Sequence, residues 1–139
     1  MTPFEIAMTQ YGVRGVLGVG DNPEVLKYFK ETGFEWVKDD DTAWCAAFLN
    51  WCLMKAGKPH TGSLMARSFL NYGSETKTPK MGDIVVIWRG APNSVFGHAG
   101  FFIAETDIGI FILGGNQDNA VYIIEYPKTK LLGYRTIHA

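Results

Sequence analysis

Residues 83–88 read Asp83-Ile84-Val85-Val86-Ile87-Trp88, and here the chain changes its hydrophobic period. The run is short, apolar and β-branched and follows Pro79 and Gly82, so it predicts a strand. Downstream, residues 98–104, 109–113, 120–125 and 131–136 give similar short runs with turn residues between them. Upstream the spacing is helical. Thr2-Pro3-Phe4-Glu5 is a capping-box start with proline at the first helical position. A second helix opens at Asp21-Asn22-Pro23-Glu24, runs through Val25, Leu26, Tyr28 and Phe29, and stops near Gly33. A third, best marked, carries apolar residues over 44–56, with Asp41 or Thr42 as its cap and Gly57-Lys58-Pro59 as its end. A short fourth spans 63–71 and closes at Gly73. Helices first and a strand meander afterwards predict an α+β domain, with N-terminal helices packed on a C-terminal antiparallel sheet of about five strands.

The 139 residues amount to one domain, 1–139, and suffice for a core without a metal or disulfide staple. Hydrophobic residues at 47% and charged residues at 19% describe a globular chain and exclude a disordered one. Thirteen basic and fourteen acidic side chains leave a net charge of −1, so the basic excess of a nucleic-acid binder is missing. No apolar run approaches the ~20 residues of a membrane span. The start, Met1-Thr2-Pro3-Phe4-Glu5, lacks the basic residues of a secretory signal, which predicts synthesis in the cytoplasm. Cys45 and Cys52, seven positions apart on one helix, lie roughly 10 Å from each other at ~1.5 Å per residue, too far for a mutual disulfide.

Cys45 is the first candidate for chemistry. It lies near a helix N-terminus, where unpaired N–H groups and the macrodipole favour a thiolate. Cys52 sits at the opposite pole, where the thiolate is disfavoured, and reads as a core residue. Taken alone, Cys45 supports nucleophile and core readings about equally. A thiol needs a base, and three histidines are present. His138 adjoins the C-terminus and His60 falls in a loop. His98 opens a strand in Gly97-His98-Ala99-Gly100, flanked by glycines that let a ligand or another backbone approach. The third requirement is a group that orients the imidazole. Asn116, in Leu113-Gly114-Gly115-Asn116-Gln117 at the end of the next strand, could accept the ring N–H, as in Cys-His-Asn hydrolases. Gly-Gly-Asn reads equally well as a turn, and Glu105 and Asp107 are rival orienters at the far end of the His98 strand.

Four blocks in order, Trp44-Cys45-Ala46-Ala47-Phe48, Gly82-Asp83-Ile84-Val85-Val86, Gly97-His98-Ala99-Gly100 and Gly114-Gly115-Asn116-Gln117, resemble the CHAP family. These are cysteine, histidine-dependent amidohydrolases/peptidases, papain-like cell-wall hydrolases related to the NlpC-type peptidases. The resemblance covers residues 41–134. It implies a papain-like fold, Cys45 as nucleophile, His98 as base and Asn116 as the polar third member. It also implies peptidoglycan stem peptides as partner and substrate, cleaved at an amide bond through a thioester. Many members carry Glu two residues before the Asn-equivalent position, where this chain has Gly114. Some members bind calcium, and Asp39-Asp40-Asp41 invites that comparison. The run lacks the glycine and distal glutamate of an EF-hand loop and reads more simply as helix capping, so no metal and no cofactor is expected.

Trp44 and Trp88 are expected to wall a substrate groove and Gln117 to reach substrate, with Arg67 a further candidate. A monomer without nucleic-acid or membrane partners is expected, acting on the cell wall after release or non-classical secretion, as a phage lysin or a secreted antibacterial effector would. Two other readings use the same fold: a thiol transpeptidase, and a non-catalytic module that binds wall peptides.

Overall fold

A computed structural model describes residues 1–15, 22–37 and 43–138 and has the predicted α+β architecture. Helix α1, Pro3–Thr9, starts with the expected capping box: Thr2 Oγ1 accepts from the Glu5 N–H and the Glu5 carboxylate accepts from the Thr2 N–H. Helix α2, Pro23–Lys30, is capped by Asn22, whose Oδ1 accepts from the Glu24 N–H at 2.9 Å. Helix α3, Cys45–Lys55, is apolar all round and buries every residue from Cys45 to Leu53. Trp44 is its cap residue and supplies no side-chain cap; Asp41 and Thr42, expected in that role, lie outside the described residues. The predicted fourth helix is instead a 3-10 helix, Ala66–Asn71.

Six strands follow: β1 (Ser74–Thr76), β2 (Ile84–Trp88), β3 (Gly97–Glu105), β4 (Gly109–Gln117), β5 (Ala120–Pro127) and β6 (Leu131–Thr136). They form one antiparallel sheet in the order β1-β6-β2-β3-β4-β5. The additional strand, β1, has only three residues, too few for an alternating pattern to register. One face of the sheet carries Ile84, Val86, Ala99, Phe101, Leu113 and Val121 into the main core with the helices. The other carries Val85, Ile87, Phe102, Ile110, Ile112 and Tyr134 into a smaller cluster. Alternation along β3 therefore turns Ala99 and Phe101 toward the helices and Gly100 and Phe102 toward the other face.

The stretch 113–117 is strand rather than turn, with β4 continuing through Gln117. The turn comes one step later, at Asp118-Asn119, both left-handed at φ 53° and 58°, between the paired residues Gln117 and Ala120. That is a two-residue hairpin loop whose twist suits the flanking strands, and Asp and Asn tolerate its backbone better than other side chains. Two residues of β4, Gly115 and Asn116, lie between Gly114 and Gln117, opposite one on β5, Val121. The extra residue is a β-bulge, and Asn116 within it is itself left-handed at φ 59°.

Candidate active site

Cys45 is the first residue of α3, so its sulfur sits where the helix presents unpaired N–H groups. The polar groups that act on that sulfur are the His98 imidazole and the N–H groups of Ala99 on β3 and Ala46 on the helix, all of which favour the thiolate. Burial alone would raise the thiol pKa, but the His98 charge and these polar groups outweigh it and hold Cys45 below the ordinary thiol value. His98 mirrors this behaviour. Burial pulls the imidazole down, and the Cys45 charge and hydrogen bond, with a further bond from Gln117, bring it above the usual value. The two side chains thus favour each other's charged forms, as a thiolate–imidazolium pair does.

The amide that meets His98 belongs to Gln117, not to Asn116. Gln117 Oε1 lies 2.7 Å from His98 Nε2. The orientation of this amide is fixed from its other end, because Nε2 of Gln117 donates to the carbonyls of Ile112 (3.0 Å) and Tyr122 (2.7 Å). With both amide protons committed, the oxygen faces the ring and His98 Nε2 must carry the proton it donates. Nδ1 is then the ring nitrogen left for Cys45. The physical reason Gln117 displaces Asn116 is the bulge: one extra residue reverses side-chain alternation, so Gln117 rather than Asn116 shares the face of Gly114 and His98.

The paired glycines serve opposite faces of β4. A methyl group on Gly114 would lie 2.8 Å from Gln117 Oε1 and 3.4 Å from His98 Nε2, so its absence gives Gln117 room to reach the ring. A methyl group on Gly115 would lie 2.7 Å from Phe48 Cβ and 2.9 Å from the Trp44 ring, so its absence lets the start of α3 pack against β4. Neither requirement concerns a turn.

A cleft of about 230 Å³ opens beside the imidazole, lined by Ile87, Trp88 and Arg89 at the end of β2, His98, Asn116, Tyr126 on β5 and Lys130. Cys45 retains 5% and His98 6% of its surface exposed. The Tyr126 ring lies 5.2 Å from the His98 ring, and burial pushes its phenol up to about 12, helped by the Cys45 charge and opposed by Arg89.

Four expectations about binding residues meet different outcomes. Trp88 lines the cleft, with its indole N–H directed at the Thr129 carbonyl. Trp44 does not; it is fully buried, stacked on Tyr28 at 5.9 Å and covered by Gly115, because it caps a helix that is apolar on all sides. Gln117 is also inaccessible at 1% exposure, its polar atoms all engaged by His98 and the two carbonyls. Arg67 is occupied as a clamp on the β2–β3 loop, donating to the carbonyls of Phe96 (2.8 Å), Pro92 (3.0 Å) and Ala91 (3.2 Å). Asn116 lines the cleft. His60 and His138 bond to Gly62 and Ser74, away from the pair. The acidic run 39–41, considered for calcium, lies outside the described residues.

Tyr126, Arg89, Ile87 and Lys130 join the site without a sequence signal, because only the strand order brings the ends of β2 and β5 and the start of β6 around His98. The model of the CHAP domain matches residues 37–126. A search of curated proteins returns no match.

Proposed function

On the premise that this chain belongs to the CHAP domain family, whose activity is that of cell-wall amidases and peptidases, we propose that it cleaves an amide bond of peptidoglycan with Cys45 as nucleophile, His98 as acid and base, and Gln117 as the residue that positions His98. The observation that carries this reading is a helix-start Cys45 electrostatically coupled to a buried His98 whose Nε2 meets Gln117 Oε1 at 2.7 Å. The Cys45 thiolate attacks the amide carbonyl carbon, and the carbonyl oxygen takes the electron pair. The N–H of Cys45, unpaired at the helix start, donates to that oxyanion. The tetrahedral species collapses as the C–N bond breaks, and Nδ1 of His98 gives its proton to the departing amine. Water then attacks the thioester, His98 Nδ1 takes a proton from it, and the carboxylate leaves as the thiolate is restored. Through both halves, Gln117 Oε1 accepts from Nε2–H, so the ring keeps its tautomer and its aim.

Purified sacculi provide the test. Cys45→Ala and His98→Ala, each with unchanged circular dichroism, are expected to release no soluble muropeptides. Wild-type release rates in a folded Cys45→Ala protein would overturn the reading.

A further inference from the structure

The cleft beside His98 has a one-sided charge. Its charged side chains are Arg89 and Lys130, and none of its lining residues is acidic. Neither cation has an acidic partner among the described residues, whose ion pairs join Lys27 to Glu24, Lys55 to Glu31, Lys77 to Glu75 and Lys128 to Glu105. Lys130 is held in place by a ring instead, with Nζ 5.2 Å from the centre of Trp88, itself a wall of the cleft. Arg89 follows Trp88 at the head of the loop that Arg67 clamps, so its backbone is fixed while its side chain is exposed. Its charge is felt by both His98 and Tyr126. Two unpaired cations on a shallow cleft, with low-dielectric walls of Ile87, Trp88 and Tyr126, focus a positive potential beside the His98 imidazole, the partner of Cys45.

We infer that this cleft is a carboxylate subsite, and that the preferred substrate is a peptide with a free carboxylate on a residue adjoining the scissile amide. The inference rests on the proposed amide-cleaving role of Cys45 and adds the substrate class. A guanidinium and an ammonium suit a carboxylate, which accepts a forked pair of bonds from the first and a point contact from the second. A neutral or amidated residue would leave both cations without a counter-charge. The carboxylate can be a chain terminus on the amine side of the scissile bond or a side carboxylate on its acyl side. Both offer the same anion.

Two measurements test the inference, and only one depends on hydrolysis. The first compares alkylation of Cys45 by iodoacetate and iodoacetamide in the wild type and in an Arg89→Gln, Lys130→Gln double variant. The His98 charge is common to both proteins, so the change in the iodoacetate-to-iodoacetamide rate ratio isolates the two cations. The ratio is expected to fall by about tenfold in the double variant, the loss of two charge-assisted contacts at a partly exposed site. It should hold in Lys77→Gln, a cation outside the cleft. An unchanged ratio in the double variant overturns the carboxylate subsite whatever the protein hydrolyses.

The second compares cleavage of synthetic stem-type peptides with the neighbouring carboxylate free, amidated at the terminus or amidated on the side chain. The wild type is expected to favour one free acid over its amide in kcat/KM, and the double variant to bring that preference toward unity. The amide that loses activity identifies the source of the anion. Equal rates for all three peptides overturn the inference and leave hydrolysis standing. Cleavage of none of them, with alkylation still selective, removes the hydrolase reading and leaves the anion site.

Discussion

Gln117 and Asn116 are neighbouring amides with separable roles. Removing the Gln117 amide strands the His98 Nε2–H in a buried setting, a loss of about 1–3 kcal/mol. Gln117→Ala is expected to lower kcat by roughly ten- to a hundredfold, at 1.4 kcal/mol per decade, with a smaller change in KM. Asn116→Gly keeps the left-handed backbone accessible and should cost kcat at least about tenfold less than Gln117→Ala. Steady-state kinetics on one soluble peptide would check both. The coupled pair also predicts the sign of a pH effect. Replacing Cys45 by Ala removes the charge and hydrogen bond that raise His98 against the pull of burial, so the imidazole should titrate at lower pH in Cys45→Ala than in the wild type, as ¹⁵N NMR would show. In the wild type, activity should climb as Cys45 ionises below the ordinary thiol range and decline as His98 deprotonates above the ordinary imidazole range. The stability supplied by the pair follows the same window. Its Cys45 share is lost as pH falls through the depressed thiol pKa, and its His98 share as pH rises through the elevated imidazole pKa. At this scale the sequence exposes Cys45 and His98, because a helix start and glycine-flanked strand opening mark them. It hides which amide serves His98, since that depends on a bulge whose register only strand pairing defines.

Between elements, the decisive contact is the start of α3 against β4. Gly115→Ala would press a methyl group against Phe48 Cβ and the Trp44 ring, both fully or almost fully buried. Overpacking of this kind costs typically about 1–3 kcal/mol, and a matching fall in the urea midpoint should be seen. Gly114→Ala presses instead on Gln117 Oε1 and His98 Nε2, so it should impair catalysis more than its stability loss accounts for. The caps of α1 and α2 were readable as Thr-x-x-Glu and Asn-Pro-Glu because capping is local chemistry. β1 was not readable, because three residues carry no period and pairing with β6 alone makes it a strand. The Gly-Gly-Asn stretch misled for a related reason. Two glycines suit a turn, and they equally suit a strand that must admit a helix on one face and a buried amide on the other.

Across the whole molecule, a sheet with helices on one face and a cleft at the end of β2, β3 and β5 makes the site a product of long-range order. Arg67 on the 3-10 helix ties the β2–β3 loop to the rest of the fold through three carbonyls. Arg67→Ala should free the loop that carries Arg89 and raise KM several-fold for a peptide substrate, with kcat less affected, since the Arg67 guanidinium bonds go to the loop and not to Cys45 or His98. The α+β class was legible from the change of period at residue 83 and Trp88 was legible as a candidate wall, whereas Tyr126 and Lys130 were not, since they meet Trp88 only through strand order. The two cysteines occupy opposite ends of α3 and are driven apart in acidity: burial pushes Cys52 well above the ordinary thiol range, while His98 and two backbone donors hold Cys45 below it. A fluorogenic thiol dye at mildly acidic pH would therefore consume one equivalent per natively folded chain and two after unfolding. The protein contains its own stoichiometric gauge of how much of any preparation is competent.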